Sequence, residues 1–206
     1  MNIKGLARAE RVELAELVTG LSAEQWDAPS LCATWRVRDV AAHVHAYGQL
    51  TPARFAAHVA RGELLEDINR IGVATYADHP SWQLADLLRA HSEPTGLTAW
   101  FGGRVALVEA MIHQQDIRRA LDLPRTIPED RLRIALDFTR YAPLIRGAWR
   151  TRGVRLAATD FTWVHGSGPL VNGPGEALLM AMAGRAASLA DLSGPGSTKL
   201  STRITF

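Results

Sequence analysis

A helix that is apolar nearly all the way round belongs at the centre of a bundle, and residues 105–121 spell one. Val105, Ala106, Leu107, Val108, Ala110, Met111, Ile112, Ile117 and Ala120 leave it no wet face. Into this segment the chain sets Glu109 and His113, one turn apart, with Asp116 three residues further on. At about 100° per residue the three fall within a stripe roughly 60° wide. A carboxylate desolvated there without a partner is costly, or takes up a proton. A cation is the simplest way to keep it charged, and Glu and His at i, i+4 have metal-ligand spacing.

Two ligands on one helix do not make a site. The third candidate is His43, in Arg38-Asp-Val-Ala-Ala-His43-Val-His45. A helix beginning near Trp35 has Val37, Val40, Ala41 and Val44 as its core stripe, and His43 sits at the edge of that stripe. Ligands from facing helices converge in a bundle, so His43 can meet Glu109 and His113. Two imidazoles and one carboxylate leave a tetrahedral zinc with one open position, as in catalytic sites. Asp39 or Asp116 could orient a ligating imidazole from behind. His45 points about 200° away from His43 and is not expected as a co-ligand.

A blander reading stands beside this one. Glu109 could pair with Arg118 or Arg104, leaving His113 a satisfied core histidine. His58, His79, His91 and His165 have no partner at ligand spacing and read as surface or structural. Arg118-Arg119 reads as a solvated helix end near the C-terminal dipole. Cys32 is the lone cysteine, so no disulfide framework or zinc ribbon exists; it reads as a small buried residue. Trp26, Trp35, Trp100 and Trp149 read as core.

Composition narrows the remaining classes. The net charge of +2, with no Lys/Arg run, argues against a nucleic-acid groove. No stretch approaches the roughly 20 apolar residues of a membrane span, and Met1 to Arg11 lacks a signal pattern. A cytoplasmic protein is expected.

Helical periodicity fills the first part of the chain. The opening segment carries Leu6, Val12, Leu14, Leu17 and Val18 and stops near Gly20. Ser22-Ala-Glu-Gln25 has the form of a capping box, with Leu21 and Trp26 as a hydrophobic staple. Further helices are expected over 50–62, 81–91, 103–121 and 128–147. Pro80 and Pro128 mark two of the starts. Beyond Trp149, 154–160 and 161–165 alternate like strands, and Gly166-Ser-Gly-Pro169 and Asn172-Gly-Pro-Gly175 supply turns after them. One helix is expected over 176–192 and a last strand over 199–206. The expected fold is mostly α: an up-down four-helix bundle over 1–147, then a small α+β domain over 148–206.

These motifs resemble one known family. Ser30-Leu-Cys-x-x-Trp35-x-Val37-x-Asp39-Val-x-x-His43, followed by Glu109-x-x-x-His113-x-x-Asp116-x-Arg118-Arg-Ala-Leu, is similar to the mycothiol-dependent maleylpyruvate isomerase family. Leu156-Ala-x-x-Asp160, Gly166-x-Gly-Pro169, Gly173 and Ala183-Gly184-Arg185 resemble that family's small C-terminal domain. The resemblance implies a DinB-like metal-binding bundle with the ion on His43, Glu109 and His113. Zinc is the implied metal, although nickel or iron would accept the same donors.

The resemblance also implies mycothiol as cofactor. Its thiol adds to a cis double bond, rotation follows, and the thiol leaves. Arginines would hold the substrate carboxylates by forked hydrogen bonds, with Arg118 and Arg185 the leading candidates and Arg119 and Arg203 nearby alternatives. The implied activity is isomerase or S-transferase on a small electrophile such as maleylpyruvate. The expected partners are that small molecule and a thiol, with no nucleic acid and no membrane, and with a homodimer left open. A metal-dependent hydrolase on the same site, and a non-catalytic metal-binding or regulatory module, are the alternatives.

Overall fold

The structure is a computed structural model that describes residues 2–204. It divides into two compact units, residues 1–124 and residues 125–206. The change in composition had suggested a boundary at 147/148.

In the first unit α1 (Ile3–Thr19), α3 (Val37–Gly48), α6 (Ser81–Ala90) and α7 (Arg104–Ala120) form a four-helix core. Helix α1 packs on α6 and α7, and α3 packs on the same two. Their shared core joins Leu14 and Val18 of α1, Val40 and Val44 of α3, Leu84 and Leu88 of α6, and Ile117 of α7. Each of the three pairs has the four-residue spacing of one buried stripe. Shorter helices surround this core: α2 (Ala23–Asp27), α4 (Pro52–Ala60) and α5 (Leu65–Thr75). The capping box of α2 forms as expected, with Gln25 N donating to Ser22 Oγ and Ser22 N donating to Gln25 Oε1.

Helix α7 is launched by a tight turn. Phe101, Gly102 and Gly103 all have positive φ, and Gly103 (φ 92°) is the N-cap. A Cβ at Gly103 would approach the Cα of Lys4 to 3.2 Å, so the close passage of α1 requires glycine there. Ala106, Leu107, Val108, Ala110, Met111 and Ile112 are all buried, as an apolar-all-round helix demands.

In the second unit α8 (Glu129–Thr139) and α10 (Gly175–Met182) pack together beside a three-stranded sheet. The strands are β1 (Arg155–Ala158), β2 (Val164–Gly166) and β3 (Leu170–Gly173), in the order β2-β1-β3. Leu156 of β1 pairs with His165 in antiparallel β2 and with Val171 in parallel β3. Two short helices, α9 (Gly147–Thr151) and α11 (Ser197–Ser201), complete the unit.

Several boundaries differ from the sequence expectation. The helix expected over 176–192 breaks at Gly184 (φ 86°), where Arg185 N turns back to Met180 O; a 3-10 turn over 186–191 follows. The helix expected over 128–147 ends at Thr139, before turns through Pro143 and Arg146 (φ 58°). The expected last strand is instead helix α11, and the end of that stretch, Thr205 and Phe206, lies outside the described residues. Asn172-Gly173 lies in β3 rather than in a turn because the Asn172 backbone pairs with Ser193. Trp100 and Trp149 are exposed, at 49% and 45%, and are not core. Among the described residues no helix is long and apolar enough to cross a membrane.

Candidate metal centre

Three side chains from two helices meet inside the first unit. His43 projects from α3, and Glu109 and His113 from α7; their ligand atoms all lie within 4.8 Å of one another. His43 is buried, and its ring is 4.8 Å from that of His113, edge to face. Trp35 (4.9 Å) and Tyr47 (5.8 Å) hold its other sides, so the imidazole has little freedom to turn away.

Glu109 carries the electrostatic tension of the site. One oxygen, Oε2, lies 3.5 Å from Arg11 Nη1, whereas buried Oε1 meets no hydrogen-bond partner among the described residues. Burial pushes this carboxyl above the ordinary carboxylate range, against the opposing charges of Arg11 and His113. The nearby phenol of Tyr47 is pushed up to about 12 by its burial and by the charge of Glu109. A divalent ion would answer both the orphaned oxygen and the cost of the buried carboxylate.

His113 is oriented from behind. Its Nδ1 is 3.1 Å from Asp116 Oδ2, and Asp116 is fully buried. Burial opposes the charged imidazole, but the hydrogen bonds to Asp116 and Cys32 and their charges outweigh it, raising the His113 pKa to about 10. With Nδ1 engaged, Nε2 is the nitrogen left for an ion. Of the two aspartates considered from sequence, Asp116 therefore backs an imidazole. Asp39 instead accepts from Arg36 N and Arg36 Nε, closing the N-terminus of α3.

Cys32 enters this network without having been foreseen. The Ser30 hydroxyl donates to Trp35 O and accepts from Cys32 N, and Leu31 N donates to Asp116 O. This folded loop sets Cys32 Sγ 3.0 Å from Asp116 Oδ2 and 3.7 Å from His113 Nδ1. Cys32, His113 and Asp116 also group as donors within 4.8 Å. Their atoms already satisfy one another, whereas Oε1 of Glu109 is unsatisfied. The first trio fits a metal better.

Neither arginine pairing considered for Glu109 occurs. Arg104 donates to Phe101 O (2.9 Å), and Arg118 donates to Gln114 Oε1 (3.0 Å) and Leu123 O (3.3 Å). The partner is Arg11, from a helix 98 residues away in sequence. Arg118 lies on the last turn of α7, about 140° round the helix from His113. Arg185 belongs to the second unit, where it donates to Ala183 O (3.0 Å).

A cavity of about 140 Å³ opens between α3, α4 and α5. His43 and Tyr47 form part of its wall, together with Gln49, Arg54 and Asn69. One prospective metal ligand therefore faces a space of small-molecule size.

Comparison with known proteins gives two findings. Residues 7–94 match the family model described as the mycothiol maleylpyruvate isomerase N-terminal domain. Two crystal structures of the mycothiol-dependent maleylpyruvate isomerase, one of a histidine-to-alanine mutant, match 95% of this chain and 92% of theirs. Their TM-scores are 0.59 for the mutant and 0.58 for the other, both at 15% sequence identity, a likeness that establishes the fold. No curated protein matches the chain.

Proposed function

Because residues 7–94 match the family model described as the mycothiol maleylpyruvate isomerase N-terminal domain, we propose that the chain is a metal- and mycothiol-dependent enzyme. The reaction would be isomerisation of, or S-transfer to, a small electrophile such as maleylpyruvate. The observation that carries this reading is the convergence of His43, Glu109 and His113 around an unsatisfied carboxylate oxygen. The proposed ion is zinc, held by those three side chains. Bound there, it supplies an open position at which a thiol loses its proton readily.

The chain's own residues do the rest. Asp116 holds His113 in one tautomer and orientation, and the rings of Trp35 and Tyr47 hold His43. The cavity beside His43 is of a size to admit a small substrate. Arg118 is proposed to hold a substrate carboxylate. In the isomerase reading the thiolate sulfur adds to one carbon of the double bond and the π pair moves onto the conjugated carbonyl; the resulting single bond rotates, and the pair returns to re-form the double bond and expel the thiolate. Electrons balance without an oxidant or reductant. The proposed partners are accordingly small molecules, the substrate and the thiol, within the cytoplasm.

Elemental analysis of untagged protein beside His113→Ala and Glu109→Ala tests the metal, followed by turnover of a cis-alkene acid with and without mycothiol. About one zinc per chain, lost in both variants, with turnover only when thiol is present, is the expected result. Folded wild-type protein without metal would sink this mechanism. Turnover independent of thiol would transfer the site to the hydrolase reading, in which water occupies the open position.

A further inference from the structure

Arg11 is a cation buried beside the proposed metal centre, and neither the metal reading nor the family comparison gives it a task. Only 2% of Arg11 is exposed. Its Nη2 donates to His91 O at 3.2 Å, and its Nε meets no partner among the described residues. The guanidinium fits there because residue 48, at the end of α3, is glycine. A Cβ at Gly48 would come within 2.5 Å of Nη2.

Its contact with Glu109 is unlike a closed ion pair. A forked arginine–carboxylate pair makes two parallel bonds of about 2.8 Å. Here one nitrogen reaches one oxygen at 3.5 Å, and Oε1 is left without a hydrogen-bond partner among the described residues. The carboxylate is loosely tethered at one oxygen and presents the other.

We infer that Arg11 is a positioning residue that turns Oε1 of Glu109 toward the ion and makes the centre selective for anionic ligands. The inference rests on the metal reading above. With neutral imidazoles, the charges of His43, His113, Glu109 and Arg11 sum to zero. A divalent ion placed among them keeps its full double charge toward whatever enters the open position. Without Arg11 the carboxylate would cancel half of it. Asp116 lies behind His113 and contributes equally in either case. The ligands favoured are small anions, including thiolates and carboxylates, over neutral donors of the same size.

The test uses cobalt(II) as a visible metal in the full chain. Wild type, Arg11→Met, Arg11→Gln and Arg11→Lys are titrated with azide as the anionic probe and imidazole as the neutral one, reading the ligand-field spectrum. Azide should bind about tenfold more weakly to the two neutral variants, with imidazole unchanged and with cobalt bound at least as tightly. Arg11→Lys should recover most of the azide affinity. A merely structural role would weaken both probes and the metal together, and that result overturns the inference. So does azide affinity that is unchanged in either neutral variant that folds. If neither folds, Arg11→Lys decides, since an azide-to-imidazole preference lost despite the retained charge would also overturn it. Wild type that takes up no cobalt would bring down the metal reading itself, which keeps the two failures distinct.

Discussion

His43 and His45 stand two residues apart on α3, both buried, and the helix sends them to opposite surroundings. His43 faces His113, with Glu109 and Asp116 beyond it. His45 faces Tyr76 (4.8 Å) and His91 (5.2 Å), and its Nδ1 has no hydrogen-bond partner among the described residues. No carboxylate contributes on that side; burial first, then the charges of His91, Arg11 and His79, push the His45 pKa down to about 4. On the opposite side carboxylate and thiol partners lift His113 to about 10 despite its burial. Burial alone does not decide what a histidine does in a bundle. Neighbouring anions decide whether it becomes a potential ligand or a neutral piece of core.

The sharpest way to break this comparison is to exchange the two positions' fates. His43→Gln should lose the metal altogether, a loss of a thousandfold or more in affinity by the order of metal-binding energies per ligand. His45→Gln should keep about one ion per chain. Elemental analysis after equilibrium dialysis reads both. Equal loss in the two variants would mean that the ion depends on the fold of α3 and not on a coordinating nitrogen from His43.

Protonation gives the next largest effect, and the two faces should show opposite signs. His45 has a folded pKa of about 4, below its ordinary 6.5. The unfolded chain therefore takes the proton first as pH falls. The stability this group contributes is complete above about pH 6.5 and is lost as pH falls to about 4. It amounts to about 3 kcal/mol. His113, raised to about 10, behaves conversely in metal-free protein: its contribution is complete below about pH 6.5 and is lost as pH rises toward 10. Urea denaturation of metal-free wild type and His45→Phe across this range measures the first term. Parallel acid profiles for the two proteins would show that His45 is not the acid-sensitive group.

How much of this was legible beforehand follows from where each residue sits. His43, Glu109 and His113 lie within regular helices, where periodicity alone fixes which face a side chain shares. The helical core and its capping box were readable for the same reason. Arg11 was not, because its contact with Glu109 spans 98 residues and depends on α1 crossing α7, with Gly48 making room. Cys32 was hidden in a loop whose path is set by the Ser30 hydroxyl and by one backbone bond to Asp116. Helix α5 escaped notice because it buries only Ile68, too little for a recognisable stripe. In the second unit, local pattern found β1 but could not foresee that the turn-like Asn172-Gly173 is the strand that pairs parallel to it.

The smallest effect concerns what makes the two faces different in the first place. Asp116→Asn keeps the shape of the contact with His113 Nδ1 but removes the charge behind it. If that carboxylate is what separates His113 from His45, the His113 pKa should fall from about 10 toward its ordinary value, read by imidazole NMR on metal-free protein. Metal affinity should fall by about tenfold, the lower end for loss of a group that orients a ligand. The same substitution should leave the His45 resonance where it was, because Asp116 is not among the groups that act on it. A drop in His113 without any change in metal affinity would mean that the tautomer is held by geometry alone, with Cys32 and the Leu31 bond keeping residue 116 in place. A His113 pKa that does not move would locate the difference between the faces in Cys32 and not in Asp116.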